Sequence, residues 1–229
     1  MKIRIKRKNK TIIKEAAMGP EDLPEGYYIE VNEGQGWVEV SYQRKFEAQD
    51  EGLEGAIDAS ELFVTCIDKV YVVGNSAVTL DGYGPMLYDV LMEVLNKKGI
   101  ALTADRSLVS EDAWKVWNYY ITNRKSELEI IRMDVHSDTM ENYFGNDPQK
   151  WPFKQLTPND KSDDCKQNAS LEWATGKGDW KTYNDTARYV SVIDNPSKAA
   201  NWHKQPISYA YIKKNTNTLD ELDTKVKFI

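Results

Sequence analysis

The period of apolar and polar positions changes along the chain, and each change marks an element. Residues 27–31 (YYIEV) and 37–42 (WVEVSY) are aromatic and β-branched with partial alternation, which predicts two strands. The turn signal NEGQG at 32–36 joins them into a hairpin. Residues 47–61 are acidic and glycine-containing and read as a loop. Two short apolar runs follow, at 62–67 and 70–73, and read as central strands. Residues 75–80 carry the second of them toward a pair of glycines.

The period then becomes helical. Pro85 suits a first helical position, and Met86, Leu87, Val90, Leu91, Val94 and Leu95 form one apolar stripe. Lys97 and Lys98 complement the dipole at the far end, and Gly99 suits a left-handed cap. A short strand at 100–104 follows. Ser110 then reads as the N-cap of a second helix, with Glu111 and Asp112 in its first turn. Its stripe is Ala113, Trp114, Trp117, Tyr120 and Ile121, and it ends near Arg124. Another strand is expected at 128–133. Beyond residue 134 periodicity is poor, and five of the eight prolines fall within 142–206. Short strands at 188–193 and 208–212 and a short helix at 218–223 are expected there.

This pattern predicts an α/β or α+β fold around a mixed, mostly antiparallel sheet. It divides the chain into a basic arm (1–10), a core domain (11–135) and an irregular extension (136–229). The arm holds six Lys or Arg, but Ile3 and Ile5 alternate with the charges, as in a solvated edge strand. Four of the seven Trp (Trp151, Trp173, Trp180, Trp202) lie in the extension. They are expected to pack on the core or to face a protein partner.

Charge narrows the function classes. The formal net charge of −6 argues against a general nucleic-acid binder, which needs a positive face. No window approaches the roughly 20 apolar residues of a membrane span, and the basic N-terminus lacks the apolar region of a secretion signal. Cys66 and Cys165 stand outside any ligand-spaced cluster and are expected to be free thiols in a reducing, cytoplasmic compartment. Asp134, His136 and Asp138 alternate and could ligate a metal, but such a triple more often closes a solvated strand, and no metal site is assigned. The sequons at Asn168 and Asn184 carry no meaning in a cytosolic chain. No GxSxG, HExxH or Walker sequence occurs, which argues against triad hydrolases, zincins and P-loop enzymes.

The informative stretch is 62–124. There a strand leads into Gly82-Tyr83-Gly84, then a helix closed by Gly99, a strand, and a helix reading Ser110-x-x-Ala113-x-x-x-Trp117. Two glycines before a helix let backbone amides approach an anion closely, and the dipole favours its charge. The same pair also serves as an ordinary tight turn. This order and spacing resembles the core of the GNAT superfamily, the acyl-CoA-dependent N-acyltransferases. In that family a Gln/Arg-x-x-Gly-x-Gly/Ala turn binds the pyrophosphate of coenzyme A. A later Asn-x-x-Ala-x-x-x-Tyr helix carries a tyrosine that serves as general acid. The wording of the segment is also similar to proteins encoded by tailed bacteriophages.

The resemblance implies an acyl-CoA such as acetyl-CoA held at Gly82, Tyr83, Gly84, Met86 and Leu87, with Ser110 in the position of the family's Asn. The pantetheine arm would pair with the open edge of the strand at 72–78, beginning at Val72. Several positions depart from the pattern. Thr79 replaces the Gln/Arg, and Asp81 brings a negative charge before the first glycine. Trp117, whose indole is no acid, stands where the phenol belongs. Tyr119 or Tyr120 would then supply the acid, and Asp105 or His136 the base, although Asp105 also reads as an ion-pair partner of Arg106. The family's two N-terminal helices are not found before residue 62. The resemblance therefore implies transfer of an acyl group to an amine. The alternative is a catalytically degenerate relative acting through protein interaction, as a virion component or host-directed factor.

Overall fold

The computed structural model describes residues 17–45, 52–61, 70–105, 109–135, 164–165 and 206–229. The basic arm, the expected strands at 62–67 and 188–193, Cys66, His136 and the four Trp of the extension lie outside the described residues.

The chain is α+β. Its strands are β1 (Tyr27–Gly34), β2 (Trp37–Arg44), β3 (Gly55–Glu61), β4 (Val70–Val78), β5 (Ala101–Thr103), β6 (Leu128–Arg132), β7 (Asp134–Val135), β8 (Asp164–Cys165), β9 (Tyr209–Lys213) and β10 (Val226–Phe228). The helices are α1 (Gly84–Asn96), α2 (Glu111–Asn123) and α3 (Asn217–Leu222). Eight strands form one mixed sheet in the order β10-β1-β2-β3-β4-β5-β9-β6, and β7 pairs with β8 apart from it. Only β1–β10 and β4–β5 are parallel within the large sheet; its other pairings are antiparallel. No helix among the described residues is long and apolar enough to cross a membrane.

The β1–β2 hairpin forms where alternation predicts it, with Tyr27, Ile29 and Val31 opposite Arg44, Tyr42 and Val40. Ile29, Val31, Val38 and Val40 are all buried, so one face of the hairpin is core. The expected loop at 47–61 is a strand over its last seven residues. Ile57 and Ala59 point inward there, and their weak alternation of small residues is masked by the acidic and glycine composition.

α1 spans the length its stripe predicts and ends on the left-handed Gly99 (φ 69°), with the Ile100 amide donating to the Leu95 carbonyl at 3.0 Å. Its surroundings differ from expectation. Every residue from Met86 to Leu95 is buried, including Asp89 and Glu93 on the side the stripe leaves to solvent. β9 and α3 pack against that helix, and Arg124 and Tyr120 of the α2 region reach Asp89. α2 begins at its expected cap, where Ser110 Oγ accepts the Ala113 amide at 3.1 Å. A smaller apolar cluster (Val70, Ala101, Met133, Ala210) forms beside the main core.

The expected boundary at residue 135 does not hold for the last 24 residues described. β9 lies inside the sheet between β5 and β6, and β10 extends the other edge beside β1. The short strand and helix read from the sequence are present, but as integral parts of the core and not as an appended wrap. A five-residue strand carries too little pattern to reveal its neighbours, because pairing over this separation leaves no local trace in the sequence.

Candidate functional site

The site grows from an irregularity in β4. Gly74 sits in the strand interior, where glycine often marks a bulge. Between the pairs Ile57–Ser76 and Ala59–Val73, β4 carries one residue more than β3. Asp58 fills the space: its Oδ1 accepts the Asn75 amide at 3.3 Å, and its Oδ2 lies 3.3 Å from Asn75 Nδ2. A Cβ at Gly74 would stand 2.2 Å from the same Oδ1, so glycine is what lets the carboxylate come down on the bulge.

On its other side β4 pairs with β5 only through Val70, Tyr71 and Val72. From Val73 onward β4 has β3 alone as a partner among the described residues. A cleft of about 250 Å³ lies along this run. Its walls are Ala56 and Ile57 of β3, Ser76, Ala77 and Val78 of β4, the turn through Asp81 and Gly82, the first turns of α1, and the start of α2 from its Ser110 cap through Ala113 to Tyr119.

The turn is pinned from behind. The Met18 amide donates to the Gly82 carbonyl, Tyr42 Oη donates to the Tyr83 carbonyl at 2.8 Å, and Tyr83 Oη donates to the Asp22 carbonyl at 2.8 Å. Gly82 has φ 88°, a conformation that costs other residues about 1–2 kcal/mol. Nothing lies within 4 Å of where a Gly84 Cβ would be. The start of α1 therefore faces open space on the cleft side.

The structure sorts the expected site residues. Gly82, Gly84, Leu87, Ser110 and Tyr119 line the cleft. Tyr83 does not; its hydroxyl is committed to Asp22. The Met86 amide donates to the Tyr83 carbonyl, and its side chain is buried in the core. Val72 is buried and paired with Thr103, so the open edge starts one residue later than expected. Asp105 follows β5 and does not line the cleft, although its charge acts on Tyr88.

Tyr120, expected as an acid, is fully buried behind the cleft. Its hydroxyl lies 3.0 Å from both the Pro85 carbonyl and Asp89 Oδ1. Burial and then the Asp89 charge push its pKa well above the ordinary value, so it holds its proton. It is a strut that ties the first turn of α1 to α2. Trp117, in the register of the family's phenol, is also core, stacked on Tyr211 at 5.1 Å and edge-on to Tyr88 at 5.2 Å.

Three charged residues line the cleft: Asp81, Asp112 and Lys115. Lys115 bonds Asp112 at 2.8 Å, and both side chains are largely exposed. Asp81 is exposed beside the glycine turn, where it opposes an anionic ligand.

Sequence reasoning missed two groups. The first is Ser76 and Tyr88, 3.1 Å apart at the cleft. Burial pushes the Tyr88 phenol up to about 12, against the lowering effect of the Ser76 hydrogen bond and with a further rise from the Asp105 charge. The available signal was a polar pair after a glycine inside a strand. The second is a buried ionic chain beneath the cleft. Lys213 Nζ lies 2.5 Å from Glu93 Oε1 and 3.0 Å from Asp89 Oδ1, and it donates to Thr218 at 2.7 Å. Glu93 also accepts the Thr218 and Leu219 amides and so caps α3, while Arg124 joins Asp89 at 2.6 Å and Glu127 at 2.5 Å. Burial lowers the Arg124 pKa, but the Glu127 hydrogen bond and the Asp89 charge outweigh it and leave the pKa raised. The signals were Asp89 and Glu93 four apart on an apolar helix, and a lysine ending the apolar run YAYIK.

No family model, curated protein or solved structure matches the chain.

Proposed function

We propose that the chain is an acyl-CoA-dependent N-acyltransferase that holds its acyl donor in this cleft. One observation carries the reading. β4 runs on past its last pair with β5 at Val72, and the end of that run, Ser76 to Val78, lines the same cleft as the two-glycine turn at the start of α1. An unpaired strand edge offers backbone N–H and C=O groups to the amides of an extended pantetheine arm. The start of α1 offers orphan amides and the positive end of the dipole to a pyrophosphate. A Cβ at Gly84 would meet open space, which leaves room for a ligand against the first turn of α1. Asp81 and Asp112 weaken the fit for its charged end.

A second reading is favoured by the interior of the fold. Trp117 occupies the phenol register as core, and Tyr120 is sealed behind the cleft. On that reading the chain binds a ligand or a protein partner without transferring an acyl group, as a degenerate relative would.

A melt in the presence of acetyl-CoA tests both. At about 100-fold over Kd a ligand of the native state adds about 2.7 kcal/mol. At about 2–4 °C per kcal/mol for a chain of this size, Tm rises by about 5–11 °C. Gly84→Tyr, which fills open space, is expected to abolish the shift while leaving the unliganded melt nearly unchanged. No shift with acetyl-CoA or coenzyme A refutes the acyltransferase reading. A shift without transfer to any amine favours the degenerate one.

A further inference from the structure

The cleft holds a hydroxyl pair to which the reading above gives no task. Ser76 lies on β4 just past the bulge, on the run that has no β5 partner, and it is exposed. Tyr88 reaches it from α1 with its ring almost wholly buried and fixed edge-on against Trp117. Of the two hydroxyls the phenol is much the stronger acid, so Tyr88 donates and Ser76 accepts. The serine proton is then left free to point into the cleft, on an oxygen whose orientation the phenol has set. A hydroxyl that accepts one hydrogen bond is a better donor of the next.

We propose that the Ser76 hydroxyl, oriented by Tyr88, donates a hydrogen bond to the carbonyl oxygen of the donor's thioester. The assignment rests on the acyltransferase reading. Ser76 is the catalytic residue, because it touches the reacting group, and Tyr88 is a positioning residue behind it.

The chemistry balances without an acid from the protein. The amine nitrogen attacks the thioester carbon, and the carbonyl electron pair moves onto the oxygen, where the Ser76 proton stabilises the new charge. The pair returns, the carbon–sulfur bond breaks, and the sulfur leaves as a thiolate with the bonding electrons. The surplus proton on the nitrogen passes to water. Tyr88 gives up no proton, since a thiolate with an ordinary pKa of about 8.5 is too weak a base to take one from this buried phenol. Ser76 is therefore a fixed donor at the place where charge develops, a role that Tyr120, sealed behind the cleft, does not fill.

Acetyl-CoA labelled with ¹³C at the acetyl carbonyl is the probe, and the full chain is used. In the bound complex the infrared carbonyl stretch is expected below that of free acetyl-CoA. It should return toward the free value in Ser76→Ala and stay low in Ser76→Thr, which keeps a hydroxyl. Thiol release from acetyl-CoA above the uncatalysed rate, with hydroxylamine as probe acceptor, is expected to fall about 10²-fold in Ser76→Ala. Ser76→Thr should restore most of that loss. Tyr88→Phe should cost less than Ser76→Ala, and the double variant no more than Ser76→Ala alone, because the two hydroxyls act as one unit. All variants should keep the acetyl-CoA melting shift. If the wild type shows no such shift, the acyltransferase reading and this assignment fall together. If the shift and the transfer are present but Ser76→Ala leaves the stretch and the rate unchanged, or the two losses add, only the assignment falls.

Discussion

Lys213→Met is the sharpest test of what holds this fold together. The lysine is 1% exposed, and its ammonium lies between Glu93 and Asp89, which sit four residues apart on α1. Methionine keeps the stem and removes the charge. Glu93 would keep the Thr218 and Leu219 amides, and Asp89 would keep Arg124 and Tyr120. Two buried carboxylates would then share the same side of a helix with no cation between them. Removing one partner of a buried pair costs about 3–5 kcal/mol. The surviving hydrogen bonds put the expected loss near the lower end, at about 3 kcal/mol, or a fall in Tm of about 6–12 °C. Urea denaturation should show this as a lower midpoint with an unchanged slope. Adding Glu93→Gln removes the stranded charge and should recover about 1–2 kcal/mol as a coupling between the two positions. A loss below about 1 kcal/mol, the worth of an ordinary hydrogen bond, would refute the reasoning, as would strict additivity.

Two further outcomes follow from the site. Gly74→Ala pushes the Asp58 carboxylate off the bulge; the side chain can swing outward, so stability should fall by only about 1 kcal/mol, while exchange of the Asn75 amide quickens. Unchanged exchange would show that Asp58 does not hold the bulge. The Tyr88 phenol, raised from 10.0 to about 12 by burial, contributes stability that is fully present below pH 10 and is lost as pH rises through about 12. The difference in phenolate absorbance between the wild type and Tyr88→Phe should therefore titrate near pH 12, and a midpoint near 10 would overturn the placement of the ring.

Much of the architecture was legible wherever the signal is local. The β1–β2 hairpin, α1 with its Gly99 cap and α2 with its Ser110 cap declare themselves through period and capping chemistry. The strand, the glycine turn with its left-handed Gly82 and the helix after it were readable in that order. The rest depends on partners distant in sequence. Nothing near Asp58 says that its carboxylate lies over Gly74, and nothing near Tyr120 says that Asp89 and Pro85 close over its hydroxyl. The spacing put the acid position on Trp117 and left Tyr119 or Tyr120 to supply the proton; the helical face of Tyr120 is right for the stripe and so turns it into the core. The stripe of α1 was right about what is apolar and silent about Asp89 and Glu93, because an ionic chain can be buried where cations from other elements meet it.

The place of β9 also sets an order of events as the chain is made. β6 has β9 as its partner in the sheet, and β5 meets β9 with Thr103 and Tyr209 standing 106 residues apart in sequence. Until that strand has emerged, β5 keeps an open edge, β6 waits unpaired, and the carboxylates of α1 lack Lys213. Closing so long a loop costs entropy before any contact rewards it, and folds dominated by such pairings form slowly. The growing chain therefore carries an exposed strand edge and buried-to-be charges over the 106 residues that separate Thr103 from Tyr209. It is during that interval, more than in the finished fold, that aggregation threatens this protein.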